Sequence, residues 1–214
     1  MNFHIITIFP KSFKSYINES ILKRAQKKNL IHFSFYNPRD YTKDKHKKVD
    51  GRSYGGGPGM VLQAEPIILA THAAIKKNKR SKIIILSPRG KEFTTKEAQT
   101  LTKYKDIVLI CGRYEGIDAR VKKVLKATEL SIGPYTLTGG ELPAMVLMDA
   151  VSRRIPGVIG KEKSIEEKRI AGRNVYTRPQ SIFYKKKRFM VPQVLLSGHH
   201  EKIDAFRKKG KEGP

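Results

Sequence analysis

The feature that most constrains this chain is a repeated change of period. Short apolar runs that read as strands alternate with segments whose apolar residues recur at helical spacing. Residues 3–9 read as a strand, and residues 12–29 as an amphipathic helix with Phe13, Ile17, Ile21 and Ala25 on one stripe. His32–Tyr36 reads as a second strand, and 37–62 as a long polar loop. Helices are expected over 65–77, 95–104, 117–127 and 143–155, with buried strands at 82–86, 107–111 and 130–132 between them. Strands alternating with helices need crossover connections. The fold class is therefore α/β, a mostly parallel sheet with helices on both faces.

Residues 157–180 show no apolar period. The expected organisation is an α/β domain over 1–157, a linker over 158–180 and a small, basic, helical C-terminal unit over 181–214. At 214 residues and 39% hydrophobic content the chain can bury a core without staples. A single cysteine, Cys111, excludes an internal disulfide and any multi-cysteine metal site. The first ten residues carry no basic leader, and no apolar run approaches the roughly 18 residues of a membrane span. The chain reads as cytoplasmic, with no membrane role.

The formal net charge is +25. Residues 1–50 carry 11 basic and 4 acidic side chains, and residues 161–214 carry 15 and 6, so the excess is concentrated toward the two ends. A positive field of this size favours polyanions, with nucleic acid the leading partner.

Three glycine-bearing loops each follow a buried strand: Ser87-Pro88-Arg89-Gly90, Gly112-Arg113-Tyr114-Glu115-Gly116, and Gly133-Pro134-Tyr135-Thr136-Leu137-Thr138-Gly139-Gly140. Parallel sheets bind ligands outside the carboxyl ends of their strands, so all three belong at one edge. Glycine there lets backbone approach a ligand. A fourth segment, 50–60, holds five glycines between Gly51 and Gly59 and reads as a cover that closes on a ligand. Neither a Gly-x-x-x-x-Gly-Lys-Ser/Thr loop nor a Gly-x-Gly-x-x-Gly turn after a strand is present.

These residues carry a resemblance. Gly-Gly-Gly-Pro-Gly-Met at 55–60, Leu-Ser-Pro-Arg-Gly at 86–90, Cys-Gly-Arg-Tyr-Glu-Gly-Ile-Asp at 111–118 and Thr-Gly-Gly-Glu-Leu-Pro-Ala-Met at 138–145 occur in order. Tyr-Thr-Arg-Pro at 176–179 and Val-Leu-Leu-Ser-Gly-His-His at 194–200 follow. The series resembles the bacterial tRNA (guanine-N1)-methyltransferases, the TrmD family of trefoil-knot enzymes, over nearly the whole chain.

The resemblance implies a deep trefoil knot in the first domain, S-adenosylmethionine as methyl donor with room for Mg2+, and methylation at N1 of guanine 37 in tRNA. It also implies a homodimer with active sites between subunits. The cofactor residues it implies are Ser87, Pro88, Gly90, Gly112, Arg113, Tyr114, Glu115, Gly116, Ile132, Gly133, Pro134, Tyr135, Thr136, Leu137, Gly139 and Gly140. Substrate contacts fall to Asp50, Gly57, Gly59, Arg153, Arg154, Lys185, Lys186, Ser197 and His199.

Guanine N1 carries a proton and becomes a nucleophile only when a base removes it. Charge then builds on O6, where an arginine can stabilise it. By the match Ser-Arg-x-Ile-Pro-Gly, Arg153 takes that role, and Glu115 lies near the guanine. The family's base is an acid four residues after a serine. Here Ser164 is followed at that distance by Lys168. The base is therefore expected to have moved to Glu167, with Glu166 second. A second departure is Pro134, where the family often has an acid. The alternatives are a non-catalytic or impaired RNA-binding relative that keeps the cofactor fold, and a general basic RNA-binding protein whose glycine loops are only turns.

Overall fold

A computed structural model describes residues 1–75, 80–159 and 174–209. By internal contacts the chain divides into two compact units, 1–160 and 161–214.

The first unit is built on a five-stranded sheet. Its strands are β1 (Asn2–Ile6), β2 (His32–Tyr36), β5 (Lys82–Glu92), β6 (Asp106–Cys111) and β7 (Thr128–Ser131), in the order β2-β1-β6-β5-β7. Every pairing is parallel. The short strands β3 (Asp50–Gly51) and β4 (Val61–Leu62) form a separate antiparallel pair. β6 is central, and all six of its residues are buried. Its side chains alternate between two cores. Ile107, Leu109 and Cys111 face one, with Phe3, Ile5, Ile84 and Leu86. Val108 and Ile110 face the other, with Ile6 and Ile85. That two-sided burial is why these strands read as unbroken apolar runs.

Helices cover both faces. The first core receives α1 (Lys14–Ile17), α2 (Ser20–Lys27), α4 (Thr95–Leu101) and α6 (Glu141–Ser152). The second receives α3 (Ala64–Ile75) and α5 (Arg120–Leu125). α6 is nearly apolar all round, and its Ala144, Leu147, Met148 and Val151 form its buried stripe.

The helix expected over 12–29 is broken. A 3-10 turn over Pro10–Phe13 leads into α1, the chain extends at Glu19, and α2 begins anew. The side-chain amide of Gln26 donates to the carbonyl of Ile17 at 2.6 Å, taking up a group the break frees. Phe13, Ile17 and Ala25 are buried as the expected stripe requires, and across the break Leu22 is buried while Ile21 is partly buried against the same core. The strand expected over 3–9 stops at Ile6, because Thr7 turns its hydroxyl inward. Within the stretch read as a linker, Val158 is buried in the first core.

The second unit has the expected terminal helix and adds a hairpin to the small helical unit that was expected. It contains a hairpin of β8 (Ser181–Tyr184) and β9 (Lys187–Met190), then α7 (Gln193–Leu196) and α8 (His200–Lys209). The run Lys185-Lys186-Lys187-Arg188, free of glycine and proline, hid the turn. Lys185 and Lys186 take left-handed conformations, with φ of 46° and 63°, in the two-residue connection. Among the described residues, no helix is long and apolar enough to cross a membrane.

Cys111, at the end of β6, is fully enclosed. Burial, and then the nearby Glu141 carboxylate, push its thiol well above its ordinary value. The native protein should therefore resist thiol reagents at mildly alkaline pH and react once denatured. An unfolded thiol ionises near pH 8.5, so the folded state should lose stability as pH rises through that region. Urea titrations in a pH series check the sign.

Candidate active site

The carboxyl ends of the parallel strands place the three glycine loops together. Leu86 is in register with Cys111 and with Leu130, and β5 does not end there as expected: residues 87–90 bulge out within it before Lys91 pairs again with Leu130, so this bulge and the segments after β6 and β7 lie at one edge. They enclose a cleft of about 560 Å³, within the usual range for a small-molecule site. Of the residues expected to hold a cofactor, Ser87, Pro88, Gly112, Arg113, Tyr114, Glu115, Gly116, Ile132, Tyr135, Thr136, Leu137, Gly139 and Gly140 line it. Gly90, Gly133 and Pro134 do not.

The glycines serve different ends. At Gly90 a Cβ would stand 2.6 Å from the backbone of Glu129 and Leu130, so this glycine lets β5 press against β7. A Cβ on Gly140 would meet Cys111 Cα at 2.6 Å. Both are packing requirements. Gly112 differs: a Cβ there would meet the Ile117 side chain at 3.5 Å and the Leu86 carbonyl oxygen at 3.8 Å, both ordinary contact distances. Its open side belongs to the cleft.

A buried polar knot of side chains holds the loops in place. The Glu141 carboxylate, at the start of α6, accepts from the Thr7 hydroxyl at 2.7 Å and from Arg113 Nε at 3.0 Å. Arg113 also donates to the Thr138 carbonyl at 3.2 Å and lies over the Phe9 ring at 4.6 Å. The sequence reading missed Thr7 and Glu141. The available signal was an acid at the head of an otherwise apolar helix, the end where backbone amides favour negative charge.

The glycine-rich segment at 50–60 docks on the second loop. Glu115 N donates to the Met60 carbonyl, Leu62 N to the Gly116 carbonyl and Asp118 N to the Leu62 carbonyl, each at 3.0 Å. Gly59, at φ 87°, lies so close to Glu115 that a Cβ would stand 2.6 Å from its Cγ. Gly57 is also left-handed, at φ 105°, and Asp50 begins the strand that pairs with β4. Tyr114 holds φ 59° in the loop beneath them, a strained position for a residue with a ring. Asp118 lines the cleft too, but its carboxylate is bonded by Arg120, which holds it below its ordinary range.

Arg153 and Arg154 lie elsewhere. They follow the last turn of α6, whose first turn borders the cleft. Twelve residues of helix put them roughly 18 Å away. Ser197 caps α7 and, with the exposed His199, belongs to the second unit, as do Lys185 and Lys186. Glu166, Glu167 and Lys168 lie outside the described residues. Among the described residues, no group of three or more His, Cys, Asp or Glu is placed to hold a metal ion.

A parallel sheet with a glycine-walled cleft at its strand ends defines an α/β protein built to hold a small ligand there. Residues 1–213 match the family described as tRNA (Guanine-1)-methyltransferase TrmD. The chain belongs to that family, and hence among the methyltransferases. Proteins named tRNA (guanine-N(1)-)-methyltransferase are similar to it along nearly its whole length. That of Carboxydothermus hydrogenoformans is 47% identical over 213 residues, 98% of this chain and 82% of the relative. That of Thermomicrobium roseum is 50% identical over 212 residues, 97% of this chain and 78% of its own. The protein from Buchnera aphidicola is 50% identical over 212 residues, 97% and 88% of the two chains.

The polar knot and the glycines make separable predictions. Glu141→Gln removes the charge that balances Arg113 and should cost about 2–4 kcal/mol in urea unfolding. Gly140→Ala should destabilise strongly, since its new methyl meets backbone. Gly112→Val should unfold near the wild-type midpoint.

Proposed function

We propose that this chain transfers a methyl group from S-adenosylmethionine to N1 of guanine 37 in tRNA, in the cytoplasm, as a homodimer. The observation that carries the reading is the single cleft formed by the three loops of a family whose relatives are named for this activity. The trefoil knot implied by the resemblance belongs to the same reading.

The cleft suits the cofactor. Its volume is right for a nucleoside-sized ligand, and the open side of Gly112 provides a cradle that a Cβ would begin to fill. Backbone in the loops 112–116 and 132–140 would hold it, with Pro88 and Leu137 as apolar walls. When bound, the cofactor supplies an electrophilic methyl group. The protein's part is positioning, proton removal and charge stabilisation. Glu115, held by Met60 and packed on Gly59, is placed to orient a base entering beside the 50–60 segment. Arg153 would stabilise charge on O6. Glu167 would accept the N1 proton, with Glu166 as its neighbour. No described cluster offers a site for Mg2+ on the protein alone.

One chain does not bring Arg153 to its own cleft, and this supports a composite site. α6 exposes Leu142, at 56%, and Val146, at 45%, as an apolar stripe that begins at the cleft. Phe9 and Tyr16 extend the exposed apolar surface. Two copies meeting antiparallel along α6 about a two-fold axis would bury these residues. The same arrangement would carry Arg153 of each chain toward the cleft of the other.

Labelled S-adenosylmethionine with tRNA, with and without guanine at position 37, tests the reading. Transfer is expected only when the guanine is present. Binding of cofactor and RNA without transfer would mean a non-catalytic relative. Glu167→Gln should lower the transfer rate by roughly 10²-fold while cofactor affinity holds. Full activity in both Glu166→Gln and Glu167→Gln would remove the base from this pair. Chains carrying Gly112→Val and chains carrying Arg153→Ala, each inactive alone, should regain activity on mixing, because one of the two sites in the mixed dimer is intact.

A further inference from the structure

Five cations fall within ten residues of the first unit: Arg39, Lys43, Lys45, Lys47 and Lys48, against Asp40 and Asp44. The sequence reading assigned this stretch only to a polar loop. The structure gives it a defined shape and a defined place.

The place follows from the sheet. Tyr36 ends β2 in register with Ile6, which pairs with Ile110. Residues 37–48 therefore leave the sheet at the same edge as the cleft loops. β2 stands two strands from β6 and three from β5. At about 4.8 Å per strand the stretch is roughly 10–14 Å along the edge from the cleft. Its far end is tied to the cleft itself. Val49 is buried, Asp50 pairs with Leu62, and the Leu62 amide bonds the Gly116 carbonyl.

The shape follows from the acids. Asp44 accepts from the amides of His46, at 2.8 Å, and Lys48, at 3.0 Å. These bonds, that of Lys48 first, hold its carboxyl below its ordinary range. Arg39 donates to the Lys47 carbonyl at 3.1 Å, and Lys47 is kept left-handed at φ 54°. One acid is thus spent on the backbone, and the loop turns its lysines outward. Lys43, Lys45, Lys47 and Lys48 are all exposed. Lys43 meets Glu65 at 3.6 Å and Lys47 meets Asp40 at 3.8 Å, exposed pairs of the kind that contribute little.

We propose that residues 39–48 form a phosphate track, binding the backbone of the tRNA strand that delivers its base to the cleft. The inference rests on the methyltransferase reading and adds to it a contact surface on the first unit, apart from the basic second unit. An ordered row of cations beside a site that must admit one base of a polyanion positions the strand without reading its sequence.

Two variants of the full chain test this, read by tRNA affinity over a salt series. Lys45→Gln, Lys47→Asn and Lys48→Gln together should flatten the slope of log affinity against log salt by about 2 to 3. Asparagine at 47 tolerates the left-handed backbone. The KM for tRNA should rise, with kcat at saturating tRNA and cofactor affinity unchanged. Asp44→Ala makes the chain more positive but releases the loop. It should weaken tRNA binding, whereas a purely diffuse charge effect would tighten it. An unchanged salt slope in the triple variant, or equal or tighter binding in Asp44→Ala, overturns the track. Wild-type chain that binds tRNA with the steep slope yet transfers no methyl group would instead overturn the methyltransferase reading.

Discussion

The Glu141 carboxylate is the interaction on which the cleft depends. It is only 3% exposed, at the head of α6, where unpaired helix amides favour negative charge. One oxygen takes the Thr7 hydroxyl from the end of β1, and the other takes Arg113 from the loop after β6. Arg113 reaches on to the Thr138 carbonyl in the loop that leads into α6. Three stretches distant in sequence, at residues 7, 113 and 138–141, thus meet at one buried charge. Such a pair is costly to desolvate, and its net contribution to stability is small beside that of the cores around it. Its effect is geometric. It fixes the second and third loops against each other, so that the cleft between them is formed by the fold itself.

Much of the fold was legible because burial on two faces leaves a plain trace. β6 reads as an apolar run because each alternate side chain meets a different core, and its neighbours behave alike. The failures have local causes. The helix over 12–29 carries no proline or glycine to mark its interruption, and the Gln26 amide that compensates the break comes from nine residues away. The hairpin in the second unit turns on two lysines, where composition favours asparagine and glycine. In both places a tertiary or strained arrangement overrides the local preference.

The candidate site was legible as a set of loops but not as a mechanism of assembly. A glycine in a sequence does not say whether it faces a ligand or another backbone. Only the structure separates Gly112, open to the cleft, from Gly90 and Gly140, which are pressed against neighbouring chain. Thr7 and Glu141 went unnoticed because their partnership spans 134 residues. The docking of 50–60 on Glu115 was foreseen only as a cover. Its hydrogen bonds show that the segment extends β4 onto the second loop by backbone pairing, with Gln63 donating to the Asp50 carbonyl and the Ser53 hydroxyl to the Gly56 carbonyl.

The length of α6 has a consequence for how a site here can be completed. Its first turn helps wall the cleft, and its buried stripe locks the helix against β6, so it cannot slide or tilt far. Arg153 is therefore held at the opposite edge of the sheet from the three loops. Gly157, four residues on, lies against Leu30 just before the start of β2, so the chain leaves the unit at that far edge as well. Any residue just beyond 157 that serves a cleft begins some 18 Å from its own. A second copy set antiparallel along α6 would, under the proposed function, start those same residues beside the cleft instead. Under the proposed function, the rigidity that preforms the cofactor cleft in one chain is also what requires the other chain to finish it.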